Sequence, residues 1–305
     1  MRKLTLGNSN LEAGDISLGC MRMAGLSLEK ATEVIETSFA SGIDLFDHAD
    51  IYGAGKSEEV FSQALKQSSV RREDIILQSK CGIRDGFFDF SQKHIMTSVE
   101  NILKRLQTDY LDILLLHRPD ALVEPEEVAE AFSELKESGK VRHFGVSNHH
   151  PLQVDLLKKY VTEELIINQL QLSLVHTPMI DAGLNVNMFN EAAVVRDSHL
   201  LEYSRLHNMT VQAWSPFQHG MIEGVFIGNT DYPKVNAKLE EVAEKKGITS
   251  SAVAIAWILR HPGSMQPVIG SMNPDRIQQI CQASNTTLSR EEWYELYRSA
   301  GNELP

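Results

Sequence analysis

The sequence predicts an α/β fold: a (β/α)8 TIM barrel with an N-terminal β-hairpin and an extra C-terminal helix. Three observations lead there. Short apolar runs rich in β-branched residues alternate with amphipathic segments along the chain, and these repeats number eight. The apolar runs are near-continuous, as expected for parallel strands buried on both faces. No Pro/Ser-rich linker, charge block or low-complexity tract marks a boundary, so the 305 residues read as a single domain, 1–305, a size that α/β barrels commonly reach.

The elements follow in order. The first eleven or so residues, with Gly7-Asn8-Ser9-Asn10 at a turn, predict a small hairpin across the barrel bottom. Strands are predicted at 16–20, 43–47, 75–80, 112–117, 143–147, 166–170, 210–215 and 267–270. Helical patterns lie between them, among them 28–41, 91–107, 125–138 and 235–246, with a further helix around 289–299. Ser27 and Ser91 stand where helix N-caps belong, and Gly42, Gly139 and Gly247 where helices end. The stretch 172–190 is long and polar, with Pro178, Gly183 and several Asn, and reads as a substrate loop or lid. A doubly wound Rossmann fold is the alternative, but the first strand is followed by Gly19-Cys20-Met21 and lacks GxGxxG.

Composition narrows the function classes. The net charge is −12 with pI about 5.4 and no basic cluster, which disfavours nucleic acid and anionic membrane surfaces as partners. An anionic ligand would need a local site. Cys20, Cys81 and Cys281 are few, odd in number and widely spaced, which predicts a reducing compartment and no disulfide framework. The start carries no apolar run of a signal peptide, and no stretch of 18 apolar residues predicts a membrane span. These features together predict a cytoplasmic enzyme.

In such barrels chemistry sits at the C-terminal ends of the strands. There the sequence offers Asp47, Tyr52 five residues on, Lys80 and His117. Singly, each has an ordinary structural reading as a cap, a solvated cation or a hydrogen-bonded core histidine. Together they suit proton donation. A phenol has an unperturbed pKa near 10, a nearby ammonium favours the phenolate, a carboxylate holds the ammonium, and an imidazole can orient a carbonyl. A metal-dependent hydrolase is the rival chemistry, drawing on Asp47, His48, Asp50, Lys80, His117, His149 and His150. It wants an HxH at the end of the first strand and a ligand near the eighth, and neither is present, so no metal ligands are assigned.

FDHADIYGAGKSEE (46–59), QSKCG (78–82), DILLLHRPD (112–120), GKVRHFGVSNH (139–149), QAWSPF (212–217) and PVIGSMNPDRI (267–277) resemble the aldo-keto reductase family, in order from about Leu4 to the C-terminus. In form the chain is similar to bacterial members of broad or undefined substrate range. The resemblance implies NADPH-dependent reduction of aldehydes or ketones to alcohols by hydride transfer. Tyr52 would be the proton donor, Lys80 paired with Asp47 would depress its pKa, and His117 would orient the carbonyl. It further implies that Ser147, Asn148 and Gln169 hold the nicotinamide carboxamide, that Trp214 stacks on the ring, and that Ser215, Pro216 and Phe217 run beside the pyrophosphate.

The adenosine end departs from the family pattern. Gly270-Ser271 lacks the usual lysine, Arg276 is in place, and Gln279-Ile280 replaces an acid-amide pair. Gly270, Ser271, Arg276 and Gln279 are still expected at the cofactor, with Asn273-Pro274-Asp275 starting a helix that faces an anion. NADPH is the expected cofactor, with tolerance of NADH. Arg22, Phe87, Phe88 and 172–190 are expected to border a pocket for a small carbonyl substrate. The rival from another class is an NADPH-binding barrel that regulates a partner, as channel-associated members do; the intact Asp-Tyr-Lys-His set favours an enzyme. The physiological substrate and the oligomeric state are not legible.

Overall fold

The structure, a computed structural model, describes residues 1–221 and 224–304. β1 (Lys3–Thr5) and β2 (Glu12–Gly14) pair antiparallel, Lys3 opposite Gly14. Between them Gly7 has φ +56°, and a Cβ there would lie 2.5 Å from the Ile166 carbonyl oxygen. Glycine therefore permits both the turn and the close approach. Leu6 and Ala13 bury against Leu45, Ile113, Leu115 and Ile167, so the expected hairpin closes the floor of the barrel.

Eight parallel strands form that barrel: β3 (Ser17–Gly19), β4 (Leu45–Asp47), β5 (Ile76–Cys81), β6 (Leu111–Leu116), β7 (Val141–Ser147), β8 (Leu165–Gln171), β9 (Thr210–Trp214) and β10 (Met265–Ile269). They neighbour one another in chain order, and β10 closes on β3. The predicted (β/α)8 architecture is the observed one.

Outside the barrel lie α1 (Leu28–Ala40), α2 (Lys56–Gln67), α3 (Gln92–Leu106), α4 (Pro125–Glu137), α5 (Pro151–Lys158), α6 (Pro178–Leu184), α7 (Leu200–Leu206), α8 (Pro233–Lys246), α9 (Ser250–Leu259), α10 (Pro274–Cys281) and α11 (Arg290–Ser299). Ser27 and Ser91 cap α1 and α3 by accepting from the Lys30 and His94 amides. Gly247 is the left-handed cap of α8, and Gly42 and Gly139 follow the caps of α1 and α4 with positive φ.

Two expectations are corrected. The segment 172–190 is not all loop, because α6 forms within it. Pro178 takes the first helical position, Met179, Ile180 and Ala182 bury, and Tyr297 donates from α11 to Asp181 Oδ1 at 2.6 Å. After β9 the chain makes two helices, where only 235–246 stood out in the sequence. α9 is buried at every position from Ala252 to Ile258, and an all-round apolar segment shows no helical period. The extra C-terminal helix locks onto α9 through a reciprocal pair. Trp257 Nε1 donates to the Trp293 carbonyl and Trp293 Nε1 to the Trp257 carbonyl, at 3.1 and 3.0 Å, with the rings stacked 4.9 Å apart.

Candidate active site

The strand periodicity aims alternate side chains inward, and near the C-terminal mouth those side chains are polar. Asp47 on β4 and Lys80 on β5 are buried, and Tyr52 stands in the tight turn after β4. Lys80 Nζ donates to Asp47 at 2.8 Å, to the His48 carbonyl at 2.8 Å and to Tyr52 Oη at 3.2 Å. An ammonium has three protons, and all three are used here. Because Tyr52 Oη accepts from Lys80, its own proton points elsewhere. His117, just beyond β6, meets the Tyr52 ring edge-on at 6.2 Å. The four residues picked from separate strand ends thus converge.

The electrostatics depart from the sequence expectation in one respect. Burial pushes the Tyr52 phenol up, and Lys80 offsets that only in part, so the net direction is upward and not the expected depression. Burial works against the Lys80 ammonium, but Asp47 and the phenol outweigh it and hold Lys80 above its ordinary value. His117 is held well below the ordinary imidazole value, first by burial and then by Lys80 and Arg118, so it is neutral at neutral pH.

Beneath Asp47 lies a network that the sequence reading missed. Gln78 Nε2 donates to Asp47 Oδ1 at 2.6 Å and to Gln212 Oε1 at 2.8 Å. Gln169 Nε2 donates to Asp47 Oδ1 at 3.1 Å and to Gln212 Oε1 at 2.9 Å. Gln212 Nε2 donates to Gln78 Oε1 and Gln266 Oε1, and Gln266 Nε2 to the Gly14 carbonyl. The amide orientations follow from chemistry, since a carboxylate at one end and a carbonyl at the other can only accept. All four glutamines are buried on barrel strands. The available signal was a glutamine recurring inside otherwise apolar strand runs.

A cavity of about 980 Å³ opens above the four converging residues. Asp47, Tyr52 and His117 line it together with Ser147, Asn148, Gln169, Trp214, Ser215, Pro216, Phe217, Gly270, Ser271 and Arg276. Lys80 lies just behind, reaching the cavity through Tyr52. Asn148 and Ser215 are non-glycine residues with φ +61° and +53°, a costly conformation that concentrates at functional sites. Trp214 Nε1 donates to Asn148 Oδ1 at 3.1 Å, which fixes the ring on the cavity wall. Arg22 also lines the cavity and donates to the Gly270 carbonyl at 3.1 Å.

Three expected residues fall elsewhere. Gln279 is exposed on α10 and is absent from the cavity lining. Phe87 and Phe88 are exposed on a surface turn, where the Arg84 guanidinium lies 5.2 Å from the Phe87 ring. The start of α10 is also less open to an anion than expected. Pro274 has no N–H, and the Asn273 side chain already accepts the Arg276 amide at 2.9 Å.

The aldo/keto reductase family model matches residues 15–299. The chain belongs to the aldo/keto reductase family. It is 34% identical to a 6-dehydroglucose reductase of Agrobacterium fabrum across the full length of both chains. It is 39% identical to the oxidoreductase YcsN of Bacillus subtilis over 89% of each. Among solved structures, an aldo-keto reductase from Klebsiella pneumoniae in complex with NADPH superposes with a TM-score of 0.78 at 25% identity, covering 100% of this chain and 96% of that one. Family membership makes the chain an oxidoreductase and sets aside both the Rossmann and the metal-hydrolase alternatives. No helix among the described residues is long and apolar enough to cross a membrane.

Proposed function

We propose that this protein reduces an aldehyde or ketone to the alcohol with NADPH, and that Tyr52 delivers the proton. One observation carries the reading: Lys80 donates to Tyr52 Oη, so the phenol's own proton is directed away from the ammonium, where a carbonyl oxygen can accept it. The raised pKa keeps that proton in place until negative charge develops on the substrate oxygen. As the O–H bond breaks, its electron pair stays on Oη, and the ammonium at 3.2 Å stabilises the phenolate. Asp47 and the His48 carbonyl hold Lys80 still during this step. Neutral His117 offers a hydrogen bond to the carbonyl without competing as an acid.

The residues present fit the cofactor. Both protons of the Gln169 amide are spent inside the barrel, while its side chain also lines the cavity. That leaves Oε1 to accept from a carboxamide NH2, beside Ser147 and Asn148. Trp214 offers a fixed aromatic face, and Ser215, Pro216 and Phe217 line the path toward Ser271 and Arg276. When bound there, NADPH supplies the hydride that adds to the carbonyl carbon. The Arg276 guanidinium and the Ser271 hydroxyl line the cavity at the start of α10 and suit the 2′-phosphate.

The test is cofactor oxidation at 340 nm with a panel of aldehydes and ketones, wild type against Tyr52→Phe. Loss of one hydroxyl should lower kcat by about 100- to 10,000-fold or more while NADPH binding survives. Wild-type turnover in a Tyr52→Phe protein that binds NADPH normally would remove Tyr52 from the reaction.

A further inference from the structure

A second chamber of about 390 Å³ adjoins the tetrad cavity, and Arg118, Asn148 and Trp214 line both. Arg118 directly follows His117, so its charge stands where the chamber meets the reacting centre. The rest of the lining includes Gln153, Gln171, His176 and Arg196, with Asp197 as its carboxylate among the described residues. Burial pushes the Asp197 carboxyl up, which lessens its repulsion of an anion.

The guanidinium of Arg118 is set apart by what surrounds it. Arg72 and Arg105, which are similarly sheltered, pair with Asp112 at 2.8 Å and Glu58 at 2.6 Å. Arg196, across the chamber, pairs with Glu191. Arg118 has no carboxylate within salt-bridge reach among the described residues. Its polar neighbour is the Met221 sulfur at 3.9 Å, and its guanidinium carbon lies 5.8 Å from the Trp214 ring centroid. Burial pushes its pKa down. Holding a cation half out of water is costly unless an anion faces it, and among the described residues a bound ligand is what can supply one. The chain carries a net charge of −12, so an anionic substrate needs a local cation of this kind.

Building on the carbonyl-reductase reading, we propose that Arg118 anchors a carboxylate on the substrate, so that the carbonyl compounds this site selects are oxo-acids. The planar fork matches a carboxylate in two-point contact. Trp214 backs the guanidinium, and Gln171 lines the same chamber, its Nε2 donating to the Gly220 carbonyl and its Oε1 left to a ligand donor. Carboxylate binding at Arg118 would then leave the carbonyl end beside His117 and Tyr52.

The experiment pairs 4-oxobutanoate with butanal, an aldehyde of the same chain length without the carboxylate. Binding to the NADPH-loaded protein is followed by tryptophan fluorescence, and turnover at 340 nm. The ratio of kcat/KM for 4-oxobutanoate over butanal should be roughly 10- to 150-fold, the range of a charge-assisted contact. Arg118→Gln should collapse that ratio toward one, and Arg118→Lys should retain part of it. A wild-type ratio near one in both binding and turnover overturns the proposal without any variant, and so does a preference that survives in Arg118→Gln. Arg118-dependent preference in binding with no NADPH oxidation would uphold the anion site and sink the reductase reading.

Discussion

Gln169 on β8 donates its side-chain amide to Asp47 Oδ1 on β4 at 3.1 Å, across the full width of the barrel. The same amide lines the cavity. One residue thus touches both the carboxylate that holds Lys80 and the surface proposed for the nicotinamide. Gln78 and Gln212, on the opposed strands β5 and β9, bridge the barrel a second time, and Gln78 also donates to the same carboxylate. The buried ion pair is therefore braced from below by amides whose bonding capacity is largely used, the condition under which a buried polar network adds rigidity.

Gln212 is the hub, with hydrogen bonds to Gln78, Gln169 and Gln266. Gln212→Leu should strand buried amide groups at a cost of about 1–3 kcal/mol each, read as a lower urea midpoint. It should also weaken NADPH binding and lower kcat, because Gln169 and Asp47 lose a shared support. Gln266→Leu lies farther from Asp47 and should lower the midpoint with a much smaller effect on kcat. Equal kcat losses in the two variants would mean that the network acts only through global stability.

Lys80 and Tyr52 should behave as one unit. Lys80→Met removes the ammonium that favours the phenolate, and its loss of kcat should approach that of Tyr52→Phe. The double variant should be little worse than either, as found for residues that serve a single step. Asp47→Asn should be milder, since the ammonium stays but is less well held. Losses that multiply in the double variant would show that the two do not share a step.

Arg276 should set the preference for NADPH over NADH. Arg276→Ala should weaken NADPH binding by roughly 10- to 150-fold, the range of a charge-assisted contact, and leave NADH almost unchanged. Cofactor titration by tryptophan quenching can read this, since Trp257 and Trp293 are buried together between α9 and α11 and Trp214 faces the cavity. Small and equal effects on both dissociation constants would show Arg276 to be a solvated helix residue.

Buried histidines should make the fold sensitive to acid. Burial, aided by Lys80, pushes His48 down to about 3, and burial pushes His149 down to about 4. Both folded values lie below the unfolded value near 6.5, so the unfolded chain binds more protons between those limits. Stability is therefore complete above about pH 6.5 and is lost as the pH falls. At pH 5 the loss should be on the order of 2 kcal/mol per histidine. Urea midpoints at pH 7 and pH 5 measure it, and His48→Gln should lose less on acidification than wild type. An unchanged difference in that variant would assign the acid sensitivity elsewhere.

Much of this was legible from local pattern. Eight apolar runs announced the barrel, Ser27 and Ser91 announced helix starts, and the polar residues at successive strand ends announced Asp47, Tyr52, Lys80 and His117 as neighbours. The barrel topology turns sequence order into spatial order, so a one-dimensional reading could reach these features. The tertiary structure decided what depends on burial and on contacts distant in sequence. Gln78 and Gln212 are 134 residues apart, and nothing in either strand alone marks them as partners. The net direction at Tyr52 is a contest between desolvation and a charge, and only packing decides which wins. The exposure of Gln279, the self-capped start of α10 and the half-buried guanidinium of Arg118 at the cavity junction follow the same rule. Residue types state which interactions a chain can make, and the fold decides which groups lose water and which partners replace it.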